Sequence, residues 1–120
     1  MNHGRYLFVL NDAPYVADRS YQALRLATNL LKREPKPEVK VFLLGEGARC
    51  AKKGHQRASG EYNIEIMLQS VTKRGGLVVV CGTCMDARKI TDEELVATTR
   101  RGTLDELTEW TVWAEKALVF

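Results

Sequence analysis

Apolar positions along the chain repeat with two different periods. Tyr6-Leu7-Phe8-Val9-Leu10 is an unbroken apolar run rich in β-formers that ends at Asn11-Asp12-Ala13-Pro14. Such a run predicts a strand buried on both faces and entering a turn. From Asp18, a candidate cap, Tyr21, Leu24, Ala27, Leu30 and Leu31 recur at helical spacing until Pro35 and Pro37 stop the pattern. Val39-Lys40-Val41-Phe42-Leu43-Leu44 predicts a second strand, closed by Gly45-Glu46-Gly47. Residues 48–59 are small and basic, and predict a short helix or a long loop. Asn63 then precedes Ile64, Met67, Leu68 and Val71, so a second helix runs to about Lys73 and ends near Gly75-Gly76. Leu77-Val78-Val79-Val80-Cys81 is the third strand. Beyond it, Ile90 to Leu95 predicts a short capped helical turn and Val96 to Thr99 a brief strand. Thr103-Leu104-Asp105-Glu106 is a capping box opening a helix with Leu104, Leu107, Trp110, Thr111 and Ala114 on one face, and Ala117 to Phe120 is a last strand.

Strands alternating with helices at these lengths imply βαβ crossovers, hence an α/β domain of flavodoxin-like layering around a mostly parallel sheet of about five strands. Ligands in such domains bind beyond the carboxyl ends of the strands. That directs attention to residues 11–15, 45–47 and 81–90. At 120 residues, residues 1–120 form one domain.

Composition narrows the function classes. The net charge of +3 comes from dispersed Lys and Arg. The densest cluster, Arg49 to Arg57, lacks interleaved aromatic residues, so it predicts a solvated loop and no nucleic-acid partner. No apolar stretch approaches the roughly 20 residues that a membrane helix requires, so no membrane partner is expected. The first apolar run breaks at Asn11-Asp12, too early for a signal peptide, which predicts a cytoplasmic protein. Three cysteines is an odd number and favours reduced thiols over a disulfide framework.

Cys81 ends the third strand and Cys84 follows three residues later, a Cys-x-x-Cys placed where α/β domains do their chemistry. The thiolate is the reactive form, and a thiol of ordinary acidity needs nearby positive charge or backbone amides to populate it. Arg88, Lys89 and the amides of a following helical turn are candidates to supply that help, and Asp86 opposes it. The bland alternative is that Cys81 only fills space at a strand end. For Cys84, placed in a loop, packing gives less reason for a thiol. Cys50 has no partner spacing and reads as incidental, and Trp110 and Trp113 read as packing. One cysteine pair with the scattered Cys50, His3 and His55 does not make a closed zinc site. The glycines match neither a dinucleotide nor a phosphate-loop pattern. No cofactor is expected.

Four segments carry a family resemblance: Asn11-Asp12-Ala13-Pro14-Tyr15, Gly60-Glu61-Tyr62-Asn63, Cys81-Gly82-Thr83-Cys84-Met85-Asp86, and Gly102-Thr103-Leu104 through Trp110. In order and over nearly the whole chain they resemble the DsrE/DsrF-like family, in its YchN-like branch. The resemblance implies a three-layer α/β/α sandwich assembled as a homo-oligomer, trimer or hexamer. It also implies sulfur carried in the cytoplasm as a cysteine persulfide between donor and acceptor proteins. It places the reactive cysteine on Cys81 and matches Cys84 to the branch's second cysteine; Arg88 and Lys89, with Asn11, Tyr15 and Tyr62 of the matching segments, are the expected supporting residues. Sulfur-relay members carry only the first cysteine, so the pair departs from them. A second thiol can attack a persulfide on Cys81, releasing sulfide and leaving a disulfide, or can release sulfur once an acceptor docks.

Three functions are therefore expected to compete. One is a sulfur carrier or relay using a Cys81 persulfide. The second is an oligomeric small-ligand-binding or scaffold protein without turnover. The third is a thiol-disulfide oxidoreductase.

Overall fold

The computed structural model describes residues 4–54 and 62–120. His3, His55, Arg57 and the Gly60-Glu61 part of the second segment lie outside the described residues. The elements in order are β1 (Arg5–Leu10), α1 (Arg19–Leu31), β2 (Glu38–Leu43), a 3₁₀ stretch (Gly45–Ala51), α2 (Ile64–Lys73), β3 (Leu77–Cys81), α3 (Gly82–Ala87), a 3₁₀ turn (Asp92–Glu94), β4 (Thr99–Gly102), α4 (Leu104–Trp113) and β5 (Lys116–Val119). The sheet has the order β4-β3-β2-β1-β5. All four strand pairs are parallel.

This order sorts the helices. From β1 to β4 each crossover steps in one direction, and right-handed connections of that kind place their helices on one face. The return from β4 to β5 crosses the sheet the other way and puts α4 on the opposite face. Side-chain packing agrees. Phe8, Leu10, Val41, Leu43, Val78 and Val80 pack with the buried faces of α1 and α2. The alternate positions Leu7, Val9, Phe42, Val79 and Cys81 pack with Trp110 of α4. The result is the three-layer α/β/α arrangement that the alternation of elements implies.

The local signals hold in part. The Asn63 side chain accepts from the Ile66 amide at 3.1 Å and Thr103 from the Glu106 amide at 3.2 Å, both as N-caps. The second half of the α4 capping box is absent, because the Glu106 carboxylate turns to Arg100 instead. Asp18 precedes α1 without a side-chain cap hydrogen bond, its carbonyl receiving the Gln22 amide at 2.9 Å. The expected strand over Val96 to Thr99 is displaced: β4 begins at Thr99, after Thr98 takes a left-handed turn with φ of 74°. Its sequence Thr-Arg-Arg-Gly is polar because β4 is an edge strand, which removes the apolar signal that betrays buried strands. The Ile90 to Leu95 turn is present, with Thr91 and Glu94 forming its capping box. Among the described residues, no helix is long and apolar enough to cross a membrane.

The segment after β2 is pressed onto β1. A Cβ built on Gly47 would collide with the Leu10 carbonyl oxygen, so this glycine is required by close backbone approach. Gly47→Ala is expected to destabilise the fold by about 2 kcal/mol or more, the scale of overpacking a rigid site. Urea denaturation of the variant against the parent checks this.

Candidate functional site

The chain passes from β3 into α3 without a loop. Cys81 is the last strand residue, and Gly82 is the first of α3, so Cys84 lies in the first turn of a helix and not in a loop. Glycine at 82 has a local cause. A Cβ there would meet the Cγ and Nη1 of Arg101 at 3.0 Å and the Gly102 carbonyl oxygen at 3.1 Å. Arg101 therefore lies across the start of α3. Its Nη1 donates to the Gly82 carbonyl at 3.1 Å and pairs with Asp86 at 3.0 Å, while its Nε pairs with Asp92 at 2.9 Å. One guanidinium ties β4, α3 and the 3₁₀ turn together around Cys81. The sequence reading missed Arg101, which no local pattern marks; the pairing of its neighbour Gly102 with Cys81 across β3 and β4 brings it here.

The two thiols differ in exposure and electrostatics. Cys81 is buried and Cys84 half-buried. Cys81 Sγ is 3.3 Å from Thr83 Oγ1, in hydrogen-bond contact. Burial pushes the Cys81 thiol up, but hydrogen bonds from the Cys84 and Thr83 side chains and from their amides outweigh it. The net shift is below the ordinary thiol value. Cys84 goes the other way. Burial and its hydrogen bond to Cys81 hold it protonated, opposed by the Gly45 amide, which donates to Cys84 Sγ at 3.2 Å, and by the Arg88 charge. The pair thus has one sulfur disposed to be a thiolate and one disposed to keep its proton.

The cations foreseen near the pair take specific places. Arg88 Nη1 donates to the Cys84 carbonyl at 3.1 Å and its Nε pairs with Glu46 at 2.7 Å, so it serves the Cys84 side. Lys89 follows the end of α3 in a left-handed conformation with φ of 57°, its amide donating to the Asp86 carbonyl at 3.1 Å. Asn11 donates through both its backbone and its side-chain amide to the Phe120 carbonyl, at 2.9 and 3.1 Å. The Tyr15 hydroxyl accepts from the Ile64 amide at 3.1 Å, and its ring lies 5.2 Å from that of Tyr62, which stacks on Tyr21 at 4.0 Å. The structure therefore brings Thr83, Cys84 and Arg101 to Cys81, and Arg88 to Cys84. Asn11 secures the last strand, and the two tyrosines join the β1–α1 connection to α2.

Cys81 borders a cavity of about 330 Å³ whose walls include Thr83, Asp86, Arg101, Thr103 and Leu104. A larger groove of about 520 Å³ between α1 and α2 holds no thiol, so chemistry and not size singles out the smaller one. Cys50 lies on the far face of the sheet, its thiol donating to the Asp12 carbonyl at 3.4 Å, and burial pushes it up to about 12. Trp110 is core, edge-on to Phe42 at 6.0 Å, and Lys40 Nζ sits 4.1 Å from the ring centre of Trp113. Among the described residues no group of three His, Cys, Asp or Glu side chains is placed to hold a metal ion.

Comparison with known proteins places this geometry in context. The model of the DsrE/DsrF-like family matches residues 4–120. Protein YchN of Escherichia coli (strain K12) is 34% identical over 116 residues, covering 97% of this chain and 98% of that protein. An uncharacterized protein of Methanopyrus kandleri is 32% identical over 113 residues, covering 93% and 90%. The crystal structure of the E. coli YchN protein matches with a TM-score of 0.91 over 100% of both chains. A protein of unknown function from Methanobacterium thermoautotrophicum shares the fold at 10% identity, with a TM-score of 0.79 over 98% of this chain and 99% of that one.

In the native protein, iodoacetamide is expected to modify Cys81 first and Cys84 more slowly, and to reach Cys50 only in denaturant; fragment-resolved mass spectrometry gives the order. Cys50 stays protonated in the fold to about 12, against an ordinary thiol value of 9.0. Its contribution to stability is therefore complete below pH 9 and is lost as pH rises toward 12. In Cys50→Ala that alkaline slope in urea midpoint should flatten.

Proposed function

The chain belongs to the DsrE/DsrF-like family, and from that premise we propose that it carries sulfane sulfur as a persulfide on Cys81. The observation that supports this most directly is the contact of Cys81 Sγ with Thr83 Oγ1 at 3.3 Å at the edge of a cavity, where the thiol is shifted toward its thiolate. The thiolate attacks the terminal sulfur of a donor persulfide, R–S–SH. The donor S–S bond breaks, RS⁻ leaves and takes up a proton, and Cys81–S–SH forms with no net oxidation or reduction. An acceptor thiolate then attacks the terminal sulfur and returns Cys81 to the thiolate. Donor and acceptor are proteins or small thiols with access to the cavity.

Cys84 gives the pair a second chemistry. Lying three residues on, in the first turn of α3, Cys84 can lose its proton and attack the Cys81 sulfur of the persulfide, forming the Cys81–Cys84 disulfide and expelling HS⁻, which takes up a proton and leaves as H₂S. The same proximity favours a thiol-disulfide oxidoreductase as the second reading. Assembly into a homo-oligomer, trimer or hexamer, is part of the proposal, and Leu104 and Val112 on the outer side of α4 together with Val119 of β5 are exposed apolar groups suited to a subunit contact. A reducing compartment such as the cytoplasm suits three free thiols.

Anaerobic incubation of the reduced protein with a persulfidated donor should add one sulfur to Cys81, read by intact and peptide mass spectrometry, and Cys81→Ser should abolish it. Uptake should fall as pH drops through the lowered Cys81 value, because only the thiolate attacks. In Cys84→Ser the persulfide should persist longer, with less sulfide released. Unmodified thiols after repeated exposure would end the proposal; a reversible disulfide with a defined potential and no sulfur uptake would favour the oxidoreductase.

A further inference from the structure

Glu46 stands outside every role assigned so far, yet it is the hub of the contacts around Cys84. One carboxylate oxygen accepts from Arg49 Nε at 2.8 Å and the other from Arg88 Nε at 2.7 Å. Both arginines hold this carboxyl below its usual range, Arg49 more than Arg88. Arg88 in turn donates to the Cys84 carbonyl at 3.1 Å, and the residue before Glu46, Gly45, donates its amide to Cys84 Sγ at 3.2 Å. Cys84 is therefore gripped at two points, carbonyl and sulfur, and Glu46 is covalently or ionically attached to both grips. Gly45 is half-buried. It adopts a left-handed φ of 58°, and a Cβ built there would meet no atom within 4 Å. Its amide direction is thus held by the chain on either side, where Leu44 and Gly47 rest on Leu10, and by the ion pair of its neighbour.

We infer that Glu46 is a positioning residue for the thiol pair: by joining Arg49 and Arg88 it keeps the β2-end backbone closed over α3 and the Gly45 amide aimed at the Cys84 sulfur. This rests on Cys81 and Cys84 being the reacting pair of the proposed function. An amide aimed at a sulfur favours the thiolate. Glu46 therefore acts on Cys84 in two opposed ways. As a negative charge it discourages a nearby thiolate; as the anchor of Gly45 it encourages one. The opposition makes the inference decidable, because removal of a carboxylate with no positioning role can only lower the ionisation pH of Cys84.

The test is the pH midpoint of Cys84 alkylation by iodoacetamide, measured by peptide mass spectrometry in a Cys81→Ser background so that one thiol of the pair titrates. The charged or titratable groups around Cys84 are Glu46 and Arg49 on the 3₁₀ stretch, Asp86 and Arg88 within and after α3, Arg101 on β4 and Cys81 on β3. With Cys81 replaced, the acids and arginines keep their charge through the thiol range. Glu46→Ala is expected to raise the midpoint by roughly half a pH unit or more, and Glu46→Gln, which still accepts hydrogen bonds, to raise it less. Asp86→Asn, which removes a negative charge without touching Gly45, is expected to lower it and fixes the sign of a pure charge effect. Glu46 is exposed, so its loss should leave the thermal midpoint and far-ultraviolet spectrum unchanged. A lowered or unmoved midpoint in Glu46→Ala overturns the inference. A raised midpoint in a protein whose Cys81 takes up no sulfur sustains the positioning role and removes the carrier function.

Discussion

Where a parallel ladder ends, the next backbone N–H has lost its partner strand, and if it is not to be left unpaired it must find another acceptor. This requirement shapes the carboxyl end of the sheet. The Leu44 amide extends the ladder by one rung to the Leu10 carbonyl at 2.9 Å, and the Asn11 amide turns to the Phe120 carbonyl at 2.9 Å. The Gly45 amide is the next in line after β2, and it takes a sulfur, that of Cys84. The thiol pair is thereby built into the satisfaction of the backbone. Local order at the sheet end and the electrostatics of the cysteines are one problem with one solution.

The same sheet separates the three thiols by environment. Cys81 shares its face with Leu7, Val9, Phe42 and Val79, whereas Cys50 sits among the residues under α1. Cys84 touches both clusters from the end of the sheet. Chemically alike side chains thus acquire three different acidities. Burial dominates at Cys50, donors overcome burial at Cys81, and burial with a neighbouring sulfur prevails at Cys84.

Much of this was legible in the chain because the central strands are buried on both faces. Leu7, Phe8, Val41, Phe42 and Val80 have no exposed surface, and an unbroken apolar run is what such burial demands. The helices α1, α2 and α4 announced themselves by spacing, and Cys81 by its place at the end of a strand. Short-range patterns failed where the competing partner was not local. The Glu106 carboxylate left its capping box for Arg100, and β4 carried no apolar signal because only one of its edges is paired. Nor is there a local pattern for Arg101 on Gly82, 19 residues away, or for Gly45 on Cys84, 39 residues away. Those contacts follow from strand order, which periodicity does not encode.

The two outer layers are anchored unequally. On one face α1 contributes Ser20, Ala23, Leu24, Ala27 and Leu31 to the interior and α2 adds Ile64, Leu68 and Val71; on the other, α4 contributes Trp110 as its one buried residue. Native proteins breathe through their least anchored parts, at a free-energy cost far below that of global unfolding. By that measure the α4 layer is the more lightly anchored side of this domain and the α1–α2 layer the firmer one. Cys81 meets the surface through its own cavity on the lightly anchored side, whereas Cys50 lies on the side where the interior is most heavily packed.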